Sequence, residues 1–173
     1  MANTTFDGPV RSKNGFINIG PGMTKSLSAD TVLTVQEHAG RILLLNDADG
    51  KFTLPAINVN ADSAVAGPGS DPNNLNNIGA SFYFYIETAA TDLDIKTDGT
   101  DKFTGAVMLA VDDGAKKAFV PAAANDVMTF DGGTAGGLAG SVVQVTAVDT
   151  NNYLVHNSLV IATGTIVTTF ANA

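Results

Sequence analysis

Apolar and polar residues alternate in short runs along most of this chain, the period-two pattern of strands with one buried face. The clearest run is Ser81-Phe82-Tyr83-Phe84-Tyr85-Ile86-Glu87, which puts Phe82, Phe84 and Ile86 on one face and Tyr83 and Tyr85 on the other. Buried Phe against amphipathic Tyr predicts a central strand whose second face is covered by a loop or by a neighbouring subunit. Leu93 and Ile95 alternate with Asp92, Asp94 and Lys96, a half-exposed strand. Ala106 to Val111 gives another before an Asp112-Asp113-Gly114 turn.

The same rhythm runs to both ends. Phe16-Ile17-Asn18-Ile19 reads as a strand, broken at Gly20-Pro21-Gly22, with a further strand around Val32 to Val35. Arg41 to Asn46, then Asp47-Ala48-Asp49-Gly50, then Lys51 to Pro55 predicts a hairpin, because Asp and Gly supply the positive backbone angles of a tight turn. Toward the C-terminus, Asp126 to Phe130, Ser141 to Val148, Tyr153 to His156 and Leu159 to Ala162 are short strands at the spacing of sandwiches and barrels. The apolar residues of these runs are often β-branched, as in Val32 to Val35, Val142 to Val145 and Leu159 to Ile161, and branched Cβ atoms favour a pleated surface over a helix. The nearest approach to a helix, Ala115 to Ala124, contains Pro121 and reads equally as a loop. No internal repeat indicates a solenoid or propeller.

Two stretches break the pattern. Residues 56–79 are rich in Asn, Asp, Gly and Pro without period, a long surface loop, contact loop or exposed insertion. The first 15 residues are polar, with Phe6 and Val10 as apolar anchors and Gly8, Pro9 and Gly15 as breakers, and they read as an extended arm. Such an arm docks on a partner or adds a strand to its own sheet. Phe6, Pro9, Val10 and Phe16 are its candidate anchors, since apolar side chains on an extended segment fill pockets or join a neighbouring sheet.

Composition narrows the chemistry. In 173 residues, 45% are hydrophobic and 15% charged, which fits one folded domain and not a disordered acidic chain. Cysteine is absent, so there is neither a disulfide nor a thiolate metal site. The net charge of -8 disfavours a nucleic-acid partner, because phosphate binding needs clustered cations. No apolar run approaches the roughly 20 residues of a membrane span, and the first residues do not form a signal sequence, so no membrane partner is expected.

Candidate catalytic and ligand-binding patterns fail on spacing. Ser70 and Ser141 both lie outside a Gly-x-Ser-x-Gly elbow. His38 and His156 form no metal-binding pair, and His156 reads as a hydrogen-bonded surface or interface residue. Asp92, Asp94, Asp98 and Asp101 miss the calcium-loop spacing, with Lys96 where an oxygen ligand is required. The glycines between Asp131 and Gly140 lack the lysine of a phosphate loop and read as a mobile turn. No cofactor is expected, and no convergent set of titratable groups suggests an enzyme.

The opening Ala2 to Phe16, then Gly40 to Asn46 with Phe52 to Pro55, Phe130 to Gly140, and Ala162-Thr163-Gly164-Thr165 with Phe170, resemble in the same order the decoration (cement) proteins of tailed-bacteriophage capsids. The 56–79 loop departs from the shorter connection of that pattern. The resemblance implies a β-rich homotrimer on the outer capsid surface of the virion, partnered by the major capsid protein. The expectation is therefore all-β: a compact β-sandwich or β-barrel-like domain of short antiparallel strands at 16–173, with long loops, behind the arm at 1–15. A tail- or fibre-associated receptor- or carbohydrate-binding module, and a small β-barrel enzyme, are the competing readings. The absence of Trp and the presence of only three Tyr weigh against the glycan binder.

Overall fold

The computed structural model describes residues 19–59, 76–111, 114 and 116–173. The anchors Phe6, Pro9, Val10 and Phe16, most of the 56–79 loop, and Asp112 and Asp113 lie outside the described residues.

In chain order the strands are β1 (Thr24–Leu27), β2 (Thr31–Val32), β3 (Ile42–Leu45), β4 (Lys51–Thr53), β5 (Ser81–Ile86), β6 (Leu93–Lys96), β7 (Lys102–Gly105), β8 (Val107–Ala110), β9 (Lys116–Phe119), β10 (Val127–Phe130), β11 (Val142–Ala147), β12 (Asn152–Ile161) and β13 (Phe170–Ala171). The larger sheet runs β1-β3-β5-β11-β12-β8-β9, with β7 also on β12, and the smaller runs β13-β10-β6-β4-β2. The two pack face to face. Leu43, Phe82, Phe84, Val145, Tyr153 and Val155 of the first meet Phe52, Leu93, Ile95, Met128 and Phe130 of the second in one core. Each fully buried side chain of this size contributes about 1.5–3 kcal/mol. All-β, with two packed sheets, is the architecture expected from the alternation.

The expected antiparallel strands are a mixture. β1–β3, β3–β5, β2–β4 and β4–β6 are parallel, as are the pairings of β7 and β8 with β12. From β1 to β6 the chain alternates between the sheets, so each strand returns beside its predecessor in the same direction. This coil exists without a sequence repeat. It also replaces the expected hairpin at 41–55. β3 stays in the larger sheet and β4 enters the smaller, and Asp47 to Gly50 carries the chain across. There the Ala48 carbonyl accepts from the amides of Thr91 (2.7 Å) and Asp92 (3.2 Å). Leu43 and Leu45 thereby face Phe52 and Leu54 across the core.

Three smaller differences follow from local chemistry. The strand expected to reach Val35 stops at Val32, because Thr34 caps a single helical turn, α1 (Val35–His38), its hydroxyl accepting from the Glu37 amide at 3.3 Å. Lys116–Phe119, the stretch nearest to a helix in the sequence, pairs as an edge strand on β8. The two strands expected at 153–156 and 159–162 are one, β12, bent at Asn157, whose φ of 45° makes it the sole non-glycine with positive φ among the described residues. Val142 opposes Leu159 while Gln144 opposes His156, so Asn157 and Ser158 together face Val143 as a bulge. No helix among the described residues is long and apolar enough to cross a membrane.

Candidate functional site

The outward face of the larger sheet is built by register. One row crosses the strands as Thr24, Ile42, Tyr83, Gln144 and His156; the next as Ser26, Leu44, Tyr85, Val142 and Leu159. Because neighbouring strands lie about 4.8 Å apart, each row forms a contiguous strip. Ile42, Tyr83, Tyr85, Val142 and Leu159 are 36–50% exposed, although the inward residues of the same strands are buried.

A shallow groove of about 200 Å³ opens on this face between Ile42, Tyr83, Tyr85, Val142, Gln144 and Asn157. Its rim includes the bulge. Asn157 donates from Nδ2 to Gln144 Oε1 at 2.7 Å, which holds the bent residue against the neighbouring strand. The Ser158 hydroxyl repairs the ladder behind it, donating to the Ala106 carbonyl at 3.1 Å and accepting from the Met108 amide at 3.2 Å. Beside the groove, Ser81 Oγ and Thr146 Oγ1 lie 2.6 Å apart and Thr146 Oγ1 is 2.8 Å from His156 Nε2. His156 is thus the hydrogen-bonded surface histidine the sequence suggests. The outward residues of both rows include no Asp, Glu, Lys or Arg; the next outward residue along β5, Glu87, lies beyond the strand end. In a chain of net charge -8 these two rows carry no formal charge, and the same side of the sheet carries the exposed Lys116 farther out, on β9.

The other sequence candidates are occupied by the fold. Asp94 Oδ1 accepts from Thr129 Oγ1 at 2.6 Å across β6 and β10. Asp98 caps its own turn through the Thr100 amide and hydroxyl, which outweigh partial burial and hold its carboxyl below the ordinary range. Asp101 is buried and accepts from the Ile57 amide at 2.8 Å; burial, with Asp98 and Asp149 nearby, raises its carboxyl above the ordinary range despite that bond. Asp126 is buried too, but Lys102 Nζ at 2.7 Å and the Ala173 amide at 2.8 Å outweigh desolvation and lower it. His38 accepts at Nδ1 from the Thr34 amide at 3.0 Å, and burial pushes its imidazole below the usual value. Ser141 is fully buried, donating to the Leu138 carbonyl at 2.7 Å and accepting from the Ile161 amide at 2.9 Å. Among the described residues no three His, Asp or Glu gather as metal ligands.

The glycine-rich turn after β10, expected from the sequence as a mobile turn, is hydrogen-bonded to the Asp131 carboxylate. Asp131 Oδ1 accepts from the Gly133 amide at 2.7 Å and the Ala135 amide at 2.8 Å. Gly137 has a φ of +100° and lies so close to Phe130 and Ala90 that a Cβ would meet both. Glycine is required there for close approach and backbone angle together.

Sequence reasoning placed Tyr83 and Tyr85 on one outward face. It missed Ile42, Val142 and Leu159, whose apolar character is visible but whose adjacency depends on strand order. Comparison with protein-family models, with curated proteins and with solved structures finds no match.

Proposed function

We propose that this chain is a structural virion protein: a capsid decoration, or cement, protein that binds the outer surface of a phage head as a homotrimer and stabilises contacts between major capsid proteins. The observation that carries the reading is the uncharged strip of exposed Ile42, Tyr83, Tyr85, Val142 and Leu159 on the larger sheet, an adhesive surface whose reverse side is the buried core. Exposed contiguous apolar patches mark sites of protein association. The polar groups beside the groove are hydrogen-bonded to one another, so they position the surface. A cement protein needs only to bind the assembled lattice more tightly than free subunits, because preferential binding shifts the equilibrium toward the assembled shell. Several contacts per trimer multiply a weak individual contact into avidity.

The resemblance of residues 2–16 to the start of such proteins supports a second contact, through Phe6, Pro9, Val10 and Phe16. Deletion of residues 2–10 tests it by co-sedimentation with capsids. Occupancy falls if the segment grips the lattice, and unchanged occupancy eliminates it as the capsid contact.

One observation favours a tail- or fibre-associated glycan binder instead: Tyr83 and Tyr85 stand side by side next to the amides of Gln144 and Asn157, a stacking surface with hydrogen-bonding groups. Glycan-array binding that Tyr83→Ala abolishes, with no affinity for capsids, would select that reading.

A further inference from the structure

We infer that Asp101 is a proton-operated latch on the neck formed by residues 55–58 and Asn77: protonated, it holds the neck against the domain, and ionised, it releases it more readily. The inference goes beyond the proposed function and does not depend on it.

Side chains hold this neck in place of a strand partner. Beyond β4 the chain runs from Pro55 to Asn58 outside both sheets. The Pro55 carbonyl accepts from the Tyr153 hydroxyl at 2.6 Å, and the Ala56 carbonyl from Asn77 Nδ2 at 2.8 Å. The Ile57 amide donates to Asp101 Oδ2 at 2.8 Å. The Asn58 amide donates to Asn77 Oδ1 at 2.8 Å, and its carbonyl accepts from the Asn77 amide at 3.0 Å. Tyr153, Asn77 and Asp101 are all at most 4% exposed. Of these three, only Asp101 carries an acid that ionises below neutral pH.

The Asp101 carboxylate is not free to swing into water. Its own amide donates to Asp98 Oδ1 at 3.1 Å and its carbonyl accepts from Thr97 Oγ1 at 2.7 Å, so the turn between β6 and β7 is closed around it. Two further carboxylates face it, Asp98 from the same turn and Asp149 from the turn before β12. The one nearby cation, Lys102 on β7, is bonded to Asp126 Oδ2 at 2.7 Å and to the Gly99 carbonyl at 2.8 Å. Tyr153 and the neck itself bring no charge. Burial and the two acidic neighbours therefore outweigh the Ile57 bond and Lys102, and the carboxyl is raised above its ordinary range. A protonated carboxyl keeps an oxygen for the Ile57 amide, so taking up the proton removes the repulsion without removing the bond.

Opening the neck exposes Asp101 to water, where its value returns to about 3.9. The closed neck binds the proton more tightly, so it is most firmly shut below about 3.9. Opening grows as pH rises through the folded value and levels off above it. Each unit between the two values changes the opening equilibrium about tenfold.

Amide hydrogen exchange of the full chain, read by NMR from about pH 4 to 7.5 and corrected for intrinsic rates, tests this. Protection of the Ile57 and Asn58 amides should fall at least about threefold as pH rises, the change expected for about half a unit of difference. The Leu54 amide, bonded to the Lys96 carbonyl at 2.7 Å, should change less. Asp101→Asn keeps the acceptor without the charge. Its Ile57 amide should be protected at least about threefold more than the parent's at pH 7, with no dependence on pH. Protection in the parent that stays constant or increases with pH overturns the inference. So does an equal fall at Leu54, which assigns the effect to the whole domain. A folded Asp101→Asn variant less protected than the parent at pH 7 overturns it too, since the charged acceptor then holds the neck better. The parent series decides the question by itself where the variant does not fold.

Discussion

Removing one hydroxyl, in Tyr153→Phe, tests how the two sheets are joined. Tyr153 lies on β12 with no exposed surface, and its hydroxyl donates to the Pro55 carbonyl at 2.6 Å, just beyond β4 of the opposite sheet. Burial, with the charges of Asp101 and Asp98 nearby, pushes its phenol well above the ordinary value, so it is a donor at neutral pH. Phenylalanine preserves the ring and its packing but leaves the buried Pro55 oxygen without that donor. An unsatisfied buried carbonyl costs about 1–3 kcal/mol. With a urea dependence of about 2 kcal/mol/M, the unfolding midpoint should fall by about 0.5–1.5 M with an unchanged slope. Urea titration by circular dichroism reads this directly. A midpoint within about 0.2 M of the parent would refute the hydrogen bond as a tie between the sheets.

Other substitutions probe different parts of the same structure. Gly105→Ala should cost more than about 2 kcal/mol, because φ is +92° and a Cβ would run into the Val155 carbonyl; Gly164→Ala, in open space at positive φ, should cost only about 1 kcal/mol. Comparing the two thermal midpoints separates the collision from the backbone cost. His38 binds its proton more weakly folded than unfolded, so stability is complete above the unfolded value of about 6.5 and declines as pH falls through it. His38→Asn, which keeps an acceptor for the Thr34 amide, should flatten that slope in urea titrations between about pH 8 and 5. Asp126 has a lowered folded value, so its contribution is present above about 3.9 and is lost as pH falls through the folded value. Asp126→Asn should cost about 1–2 kcal/mol at neutral pH, discounted for the partial exposure of Lys102, and shrink the acid transition seen by calorimetry.

Local alternation made the strands legible and left their partners hidden. Phe82, Phe84 and Ile86 opposite Tyr83 and Tyr85 gave β5 and both its faces, and Leu93 with Ile95 gave β6, because side-chain direction follows from period alone. The Asp47 to Gly50 turn signal was real, yet such residues reverse a chain equally well within a sheet or between sheets. Only the core, where Leu43 and Phe52 lie on opposing sheets, distinguishes the two. The coil from β1 to β6 had no repeat because its turns share direction without sharing sequence. In the sequence Asn157 reads as a gap between strands; its tolerance of positive φ instead lets one strand bend around a bulge. The same limit applies to the outward face of the larger sheet. Tyr83 and Tyr85 are two residues apart in sequence, while Ile42, Val142 and Leu159 reach them through the pairings Ile42 with Tyr83, Tyr85 with Val142 and Val142 with Leu159.

Cryo-electron microscopy of phage particles assembled in the presence of this chain is the decisive test of the proposed decoration role. Density of this two-sheet domain is expected on the outer shell, around local threefold positions where major capsid subunits meet. Density confined to the tail or fibres, or virions from which the chain is absent, would contradict it.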